Sequence, residues 1–216
     1  MSNARIRPYH AIFLASALIL TGLSSPSLAL SDPSNAELEA LRQANTNVLV
    51  LEYYDAGGKS LVAKQTFSSP ERPQFASGTS YRFGQALTLN AWGVSPCSHD
   101  RRLTDAKFDG PCRDFVREGL NAILRSGPVM LCRAFADQQD KPVKNASCFV
   151  LVNYASVYGV TKVEEYLVSG GYVSLMRDAD GKPLRLDLAD DERIAKGFGR
   201  GLWSFEHESI RRDQKP

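Results

Sequence analysis

The chain has 216 residues, of which 43% are hydrophobic and 23% charged, and it contains 26 basic and 24 acidic side chains. Two of the basic residues, Arg5 and Arg7, lie within the first 29 residues, which contain no acid. The rest of the chain is therefore formally neutral. Proteins that bind nucleic acid through its phosphates usually carry a basic excess, so this balance disfavours that class without excluding a local basic patch.

Residues 1–29 predict a cleavable signal peptide. The basic start is followed by an apolar run at residues 11–23 and by small residues at Ser27 and Ala29. Because the run is too short to cross a bilayer, we expect cleavage after Ala29 rather than an uncleaved anchor. No later segment is apolar enough to span a membrane. We therefore expect a periplasmic or secreted monomer with one core of ordinary size.

Four cysteines follow the predicted signal peptide: Cys97, Cys112, Cys132 and Cys148. An even number of cysteines in an oxidising compartment predicts disulfides. A zinc site is the alternative interpretation, but the spacing contains no C-x-x-C pair, which disfavours it.

The first predicted elements are a short helix at residues 34–44 and a hairpin. Residues 47–54 are rich in β-branched and aromatic side chains, and a glycine-containing turn leads from them into a second strand at 59–67. Residues 68–76 are predicted to form a loop.

Two paired strands are predicted next, at residues 79–83 and 86–92, and a loop rich in charged and turn residues follows at 93–110. Pro111 suits the first turn of a helix, and the apolar residues after it recur at helical spacing as far as residue 124. We therefore expect one amphipathic helix here.

Strands at residues 129–136 and 146–153 flank a polar turn and predict a second hairpin. Cys132 and Cys148 are symmetric about the middle of that turn, so the hairpin sets them opposite each other at a distance suited to a disulfide. Of the three possible pairings we therefore expect this one. By elimination, the other disulfide is Cys97–Cys112.

Two further helices are predicted at residues 160–169 and 188–198. Residues 30–74 are expected to form an N-terminal extension, and residues 206–216 a polar tail. The order of elements is thus a strand-rich half, a helix, a hairpin and two helices.

From residue 75 to residue 203 the chain resembles the thermonuclease (staphylococcal-nuclease-like) family. Five segments correspond in order to motifs of that family: 77–84 to D-G-D-T-x-x-x-G, 92–97 to W-G-I-D-A-P-E, 140–144 to D-R-Y-G-R, 163–171 to L-V-x-x-G and 192–203 to the closing E-x-x-A and G-L-W. No motif is intact, and their order and spacing carry the resemblance. The cysteine pattern also resembles that of secreted bacterial members.

The resemblance implies an α+β, mainly β fold, in which a five-stranded OB-fold barrel with about three helices occupies residues 75–205. The barrel's first strand should lie just before residue 77, where the sequence predicts a loop. The N-terminal hairpin is therefore expected to supply that strand or to form a layer of its own.

The resemblance also identifies positions where catalytic groups differ. In the family, acids of the first two motifs bind calcium, a glutamate positions the attacking water, and two arginines neutralise the phosphate. At the metal-ligand positions this chain has Ser77, Thr79 and Ser95, or Val94 in place of Ser95 depending on a one-residue gap. The position of the glutamate is occupied by Cys97. The positions of the two arginines are occupied by Asn90, or Thr88 with a different gap, and by Lys144. Hydroxyls alone do not hold calcium usefully, a disulfide-bonded cysteine cannot act as a base, and lysine lacks the bidentate fork.

We therefore expect a catalytically inactive protein without a cofactor, acting as a binding module for a protein or polysaccharide of the cell envelope. The alternative is a secreted phosphodiesterase with a rearranged calcium site. In that alternative Lys144 contacts the phosphate, and acids of the loop before the first long helix, among them Asp105, Asp109 and Asp114, hold the metal.

An aromatic set lies on the predicted barrel strands: Tyr53, Tyr54, Phe75, Tyr81 and Phe83. Such residues could form a stacking surface of the kind that OB-folds use, but we expect alternate members to fill the core instead. Cys97, His99 and Asp100 are expected to be a disulfide followed by a solvated loop rather than a nucleophile or ligand cluster.

Overall fold

A computed structural model describes residues 31–97, 101–104, 108–155 and 157–204. The predictions for the signal peptide (1–29), for His99, Asp100 and Asp105, and for the polar tail (206–216) lie outside these residues. None of the helices in the described part of the chain is both long and apolar enough to cross a bilayer.

The structure is α+β and mainly β, as the resemblance implies. The strands are, in chain order, β1 (Asn47–Tyr54), β2 (Leu61–Ser69), β3 (Gln74–Ser77), β4 (Ser80–Phe83), β5 (Leu87–Ala91), β6 (Val94–Ser95), β7 (Arg102–Thr104), β8 (Asp109–Pro111), β9 (Val129–Phe135), β10 (Val143–Tyr154), β11 (Val157–Lys162) and β12 (Ser174–Leu175). The α-helices are α1 (Asn35–Glu39), α2 (Cys112–Arg125), α3 (Val163–Ser169) and α4 (Ala189–Gly197), with short 3-10 helices at Ala136–Gln138, Leu186–Leu188 and Gly201–Trp203.

One mixed sheet organises the molecule, in the strand order β2-β1-β9-β10-β5-β4-β3, with β11 paired beside β10. The predicted β1–β2 hairpin, β4–β5 pair and β9–β10 hairpin are all present and antiparallel. Two parallel ladders complete the sheet, β1 with β9 and β5 with β10. Parallel strands are joined by long crossovers, so turn signals in the sequence do not predict these two contacts.

The ladders do not close the sheet into the expected five-stranded barrel. Among the described strands no ladder joins the two end strands, β2 and β3, although only residues 70–73 separate them in the chain. The N-terminal hairpin is part of the same sheet, because β1 lies between β2 and β9 and is buried along its whole length. Of residues 68–76, predicted to be loop, the first two complete β2 and the last three belong to β3.

Both faces of the sheet are covered by packed side chains at β1. On one face Leu51 of β1 and Leu120 of α2 belong to the main core, and α2 presents its apolar positions to that core as its spacing predicted. On the other face Val50 packs with Leu38 of α1 in a second, smaller cluster. This burial on both faces explains why residues 47–54 form a nearly continuous run of apolar side chains.

The aromatic set contributes to the core, as expected. Tyr53, Tyr81 and Phe83 belong to the main core, and Phe75 packs against it. Tyr54 is also buried, and its hydroxyl donates to Oε2 of Glu52 at 3.0 Å. These aromatic side chains therefore form no open stacking surface.

Both predicted disulfides, Cys97–Cys112 and Cys132–Cys148, are present. Cys132 and Cys148 face each other directly in the β9–β10 ladder, with their Cα atoms 4.1 Å apart, as the symmetric spacing predicted. The other disulfide joins the chain after β6 to the first residue of α2.

The predicted helices are longer than those in the structure. Residues 157–162 form β11, which pairs with β10 from Val157 to Lys162, so α3 starts only at Val163. The β-branched residues of this stretch favour a strand once β10 offers an unpaired edge. The N-terminal helix is likewise limited to Asn35–Glu39, after a capping box at Ser34.

Candidate functional site

Strand register places neutral polar side chains in line across β4, β5 and β10. Ser80 pairs with Asn90 in the β4–β5 ladder, and Asn90 pairs with Asn145 in the parallel β5–β10 ladder. Thr79, in the turn before β4, and Gln138, in the turn between β9 and β10, extend this line. Together the five residues are called the polar row.

Hydrogen bonds run through the polar row without interruption. The hydroxyls of Thr79 and Ser80 donate to Oδ1 of Asn90 at 2.7 and 3.1 Å. Nδ2 of Asn90 donates to Oδ1 of Asn145 at 2.9 Å, and the backbone N–H of Asn145 donates to Oε1 of Gln138 at 3.2 Å. The two asparagine amides are thereby oriented by neutral partners, and no side chain of the row carries a formal charge.

Two of the positions carried over from the family, Thr79 and Asn90, are brought together in this row. Lys144 contacts the row only through the main-chain carbonyl of Gln138, and Ser77, Ser95 and Cys97 make other contacts. Ser77 is exposed at the end of β3. The hydroxyl of Ser95 donates to the carbonyl of Pro96 at 3.3 Å. Cys97 is bonded to Cys112, and the alternative ligand Val94 is buried in the main core.

The amine of Lys144 is enclosed by main-chain carbonyls. It donates to the carbonyl oxygens of Gln138 at 3.0 Å and Lys141 at 2.9 Å, and also to that of Gln139. An ammonium group has three donors, and this arrangement uses all three. The charge therefore stabilises the β9–β10 turn, and no donor is left for a phosphate in this geometry.

Of the acids that the alternative needs as calcium ligands, the two that lie within the described residues, Asp109 and Asp114, are paired with arginines. Asp109 accepts from Nε of Arg102 at 3.0 Å, and this hydrogen bond lowers the pKa of Asp109 below its ordinary value. Asp114 forms a salt bridge with Arg117 of the same helix at 3.1 Å. In the described ranges of the chain, no three His, Cys, Asp or Glu side chains are grouped so that they could hold a metal ion.

A cleft with aromatic walls adjoins the polar row. The rings of Trp92, just after β5, and Phe135, the last residue of β9, meet at an interplanar angle of 82° with their centroids 5.9 Å apart. The lining is completed by Ala56, Leu184 and Ala136–Gln138, around a cavity of about 540 Å³. Gln138 belongs to both features, so this cleft, called the Trp92 cleft, continues the polar row.

Arg185 holds the indole of Trp92 in place. Its guanidinium lies 5.2 Å from the ring centroid, and Nη1 donates to the Trp92 carbonyl at 3.2 Å. Two further hydrogen bonds, each 2.8 Å long, join Arg185 to Asp187 and neutralise its charge. Gly93 has a φ of +75°, and a Cβ at this position would collide with the Arg185 side chain. The glycine that follows Trp92 thus leaves room for the side chain of Arg185.

A buried carboxylate lies at the start of α3, behind β10. The side chain of Glu164 accepts from the Ser147 hydroxyl at 3.1 Å and from the Cys148 backbone N–H at 3.3 Å. Burial raises the pKa of Glu164 above its ordinary value, although the charge of Arg185 opposes this effect. This acid is enclosed within the fold and does not take part in the polar row.

Sequence reasoning missed part of this surface. Ser80, Asn145 and Gln138 were not assigned to a binding surface, and Trp92 served only as a landmark of the resemblance. Strand alternation would have placed Ser80 and Asn90 on one face, but Asn145 joins them only through the parallel β5–β10 ladder. Phe135 comes close to Trp92 only in the folded chain.

The surface offers neutral donors and acceptors beside two aromatic rings. Such groups can bind and orient a ligand, but they include no carboxylate pair for a hard cation and no free guanidinium for a phosphate. Searches with protein-family models and among curated proteins find no match for this chain.

Proposed function

We propose that this chain is an exported, non-catalytic binding protein related to the thermonuclease family and built on an OB-fold. The observation that carries the proposal is the polar row. Positions that hold acids and an arginine in the family are here joined by neutral hydrogen bonds from Thr79 to Asn90. The polar row can therefore bind a ligand without supplying the charges that hydrolysis of a phosphodiester requires.

The loss of catalysis follows from chemistry at three points. Calcium prefers several charged and neutral oxygens, whereas the row supplies hydroxyls and amides only. A disulfide at Cys97 removes the general base expected at that position. Lys144 contacts carbonyls of its own turn, so the phosphate loses its cationic partner.

The OB-fold part of the proposal is supported by strand topology. The antiparallel run β3-β4-β5 is followed by α2 and then by the β9–β10 hairpin, whose second strand pairs in parallel with β5. In this interpretation β1 is an extra strand inserted beside β9. OB-folds bind ligands on one strand face and on adjacent loops, which is where the polar row and the Trp92 cleft lie.

The location and partner class follow from two further observations. Two disulfides are typical of an oxidising compartment, which supports a periplasmic or secreted protein. The formal neutrality of the chain after residue 29 disfavours nucleic acid as the main partner. We therefore favour a protein or polysaccharide of the envelope, bound by a monomer.

A nuclease assay tests the proposal directly. The purified, disulfide-bonded chain is incubated with single- and double-stranded DNA and RNA, with calcium or with a chelator, beside an active thermonuclease. We expect no cleavage above the buffer blank in either condition. Calcium-dependent cleavage at rates near those of the active enzyme, abolished by the chelator, would instead support the phosphodiesterase alternative and refute the proposal.

A further inference from the structure

The Trp92 cleft has the dimensions and rigidity of a small-ligand site. Its cavity of about 540 Å³ lies within the range of roughly 300–1,000 Å³ that such sites occupy. Trp92 and Phe135 form two walls that are almost perpendicular, 82° apart. Since Arg185 covers one face of the indole, the surface left for a ligand is the other face and the ring edge. The indole needs little reordering on binding, which favours affinity.

The polar part of the lining is an acceptor that is already oriented. Nε2 of Gln138 donates to Oδ2 of Asp137 at 2.8 Å, while Oε1 of Gln138 accepts from the Asn145 backbone. The amide is thus fixed on both sides, and the exposed carboxylate of Asp137 keeps acceptor positions for a ligand. The groups that remain suit a ligand rich in hydroxyl donors.

The charge of the lining narrows the class of ligand. Asp137 is the only charged residue among the seven described residues that line the cleft, and none of the seven is basic. A phosphate or another anion would therefore approach a carboxylate without a cationic partner. A neutral ligand with apolar C–H faces and several hydroxyls matches both the aromatic walls and the acceptor.

We infer that the Trp92 cleft binds a neutral pyranose oligosaccharide, with the C–H face of one sugar ring against Trp92 and its hydroxyls donating to Asp137. The polar row then supplies neutral hydrogen bonds to the next sugar along the chain. This inference rests on the proposed function, because it assigns a ligand class to the binding surface of that module.

The test uses the two tryptophans of the chain, Trp92 and Trp203. Trp203 does not line the cleft: it packs against a separate cluster around Phe115, and Lys196 stacks on its ring, so Trp203→Phe leaves Trp92 as the only indole. This variant is titrated with chitotetraose and with cellotetraose, which differ in their acetamido groups. We expect a saturable change in Trp92 emission with at least one of them.

Substitutions then locate the binding site. In calorimetric titrations of the sugar that binds, we expect Trp92→Ala to lower the association constant by about tenfold or more, and Trp92→Phe to lower it less. Leu184→Ala should also weaken binding, whereas Leu186→Ala, two residues away and 73% exposed outside the lining, should have no effect. Thermal melts and circular dichroism of each variant show whether the fold is kept.

Three outcomes would overturn the inference. They are the absence of saturable binding by either sugar, equal affinity in folded Trp92→Ala and the parent, or tighter binding of tetramethylammonium, which would indicate an aromatic cage for cations. None of these outcomes produces DNA cleavage, so each leaves the non-catalytic proposal standing. Calcium-dependent cleavage refutes that proposal whatever the sugar result.

Discussion

The polar row and the C-terminal helical region use charge in opposite ways. Side chains of the row are neutral amides and hydroxyls, although the row lies where the resemblance implies catalytic charges. The region from α3 to α4, in contrast, buries three charged side chains: Glu164, Arg185 and Glu192, at 0%, 4% and 4% exposure. The C-terminal helical region thus holds charge inside the fold, whereas the polar row, which is part of the surface proposed to bind ligand, carries none.

This difference shows that the buried charges serve the structure. Glu192 accepts from the Leu175 backbone at 2.9 Å and forms salt bridges with Arg177 at 2.6 Å and Lys196 at 3.1 Å. Burying a charge is unfavourable unless hydrogen bonds and an opposite charge compensate it, and Glu192 has both. These contacts hold α4 against β12 and the segment after it. The polar row has no such structural charges, and it is the surface proposed to bind a neutral ligand.

The largest expected effect comes from breaking the buried charge cluster. Glu192→Ala leaves the buried Leu175 N–H without its acceptor and removes the partner of Arg177, so we expect unfolding free energy to fall by about 3 kcal/mol. Urea denaturation followed by circular dichroism measures this loss.

The matched control is Asp190→Ala, in the first turn of the same helix. Asp190 is 85% exposed and pairs with Arg193, which is also exposed. Such surface pairs contribute little, so we expect a change within about 0.5 kcal/mol. Equal losses in the two variants would contradict the view that burial makes Glu192 important.

Local patterns in the sequence predicted much of the fold. The symmetric placement of Cys132 and Cys148 depends only on a hairpin turn, and α2 depends only on helical spacing, so both were predicted. The interpretation of residues 74–76 as loop was wrong because β3 is stabilised by its ladder with β4 rather than by its own composition. Propensity is a weak guide where pairing between strands decides the structure.

The candidate site was less predictable because it depends on long-range contacts. Thr79 and Asn90 were singled out, but Asn145 meets Asn90 through a parallel ladder, and Phe135 meets Trp92 from a different strand. Local sequence patterns do not predict contacts between residues so far apart in the chain. The resemblance implied which positions lack catalytic charges, and the structure shows that neutral groups are hydrogen-bonded at two of them, Thr79 and Asn90.

A substitution of Lys144 tests whether the positive charge beside the polar row is structural, and its expected effect on stability is intermediate. Lys144→Met keeps the length of the chain but removes three donors to carbonyls of the β9–β10 turn. One hydrogen bond of a charged group is worth roughly 1.5–3 kcal/mol, and water can replace part of the three around this half-buried amine, so we expect the free energy of unfolding in urea to fall by about 2 kcal/mol. The control is Lys141→Met, a change at an exposed neighbour, which should lower the free energy of unfolding by less than about 0.5 kcal/mol. A stable Lys144→Met variant with weakened binding to DNA would indicate a phosphate contact instead.

The last prediction concerns Glu164 and the pH dependence of the unfolding free energy. Burial of this side chain disfavours its charged form. Because burial raises the pKa of Glu164 in the folded chain above the ordinary value of 4.5, the folded state keeps its proton at pH values where the unfolded state has lost it. The stability contributed by this group is therefore complete below about pH 4.5 and declines as pH rises towards the folded-state pKa, by at most about 1.4 kcal/mol per pH unit.

Glu164→Gln cannot ionise and keeps an acceptor for Ser147, so the variant should gain stability relative to the parent as pH rises through that window. Urea denaturation of both proteins from pH 4 to pH 8 measures the difference. A difference that is constant with pH would show that Glu164 is ionised in the folded protein with its ordinary pKa, and that Arg185 compensates its burial in full.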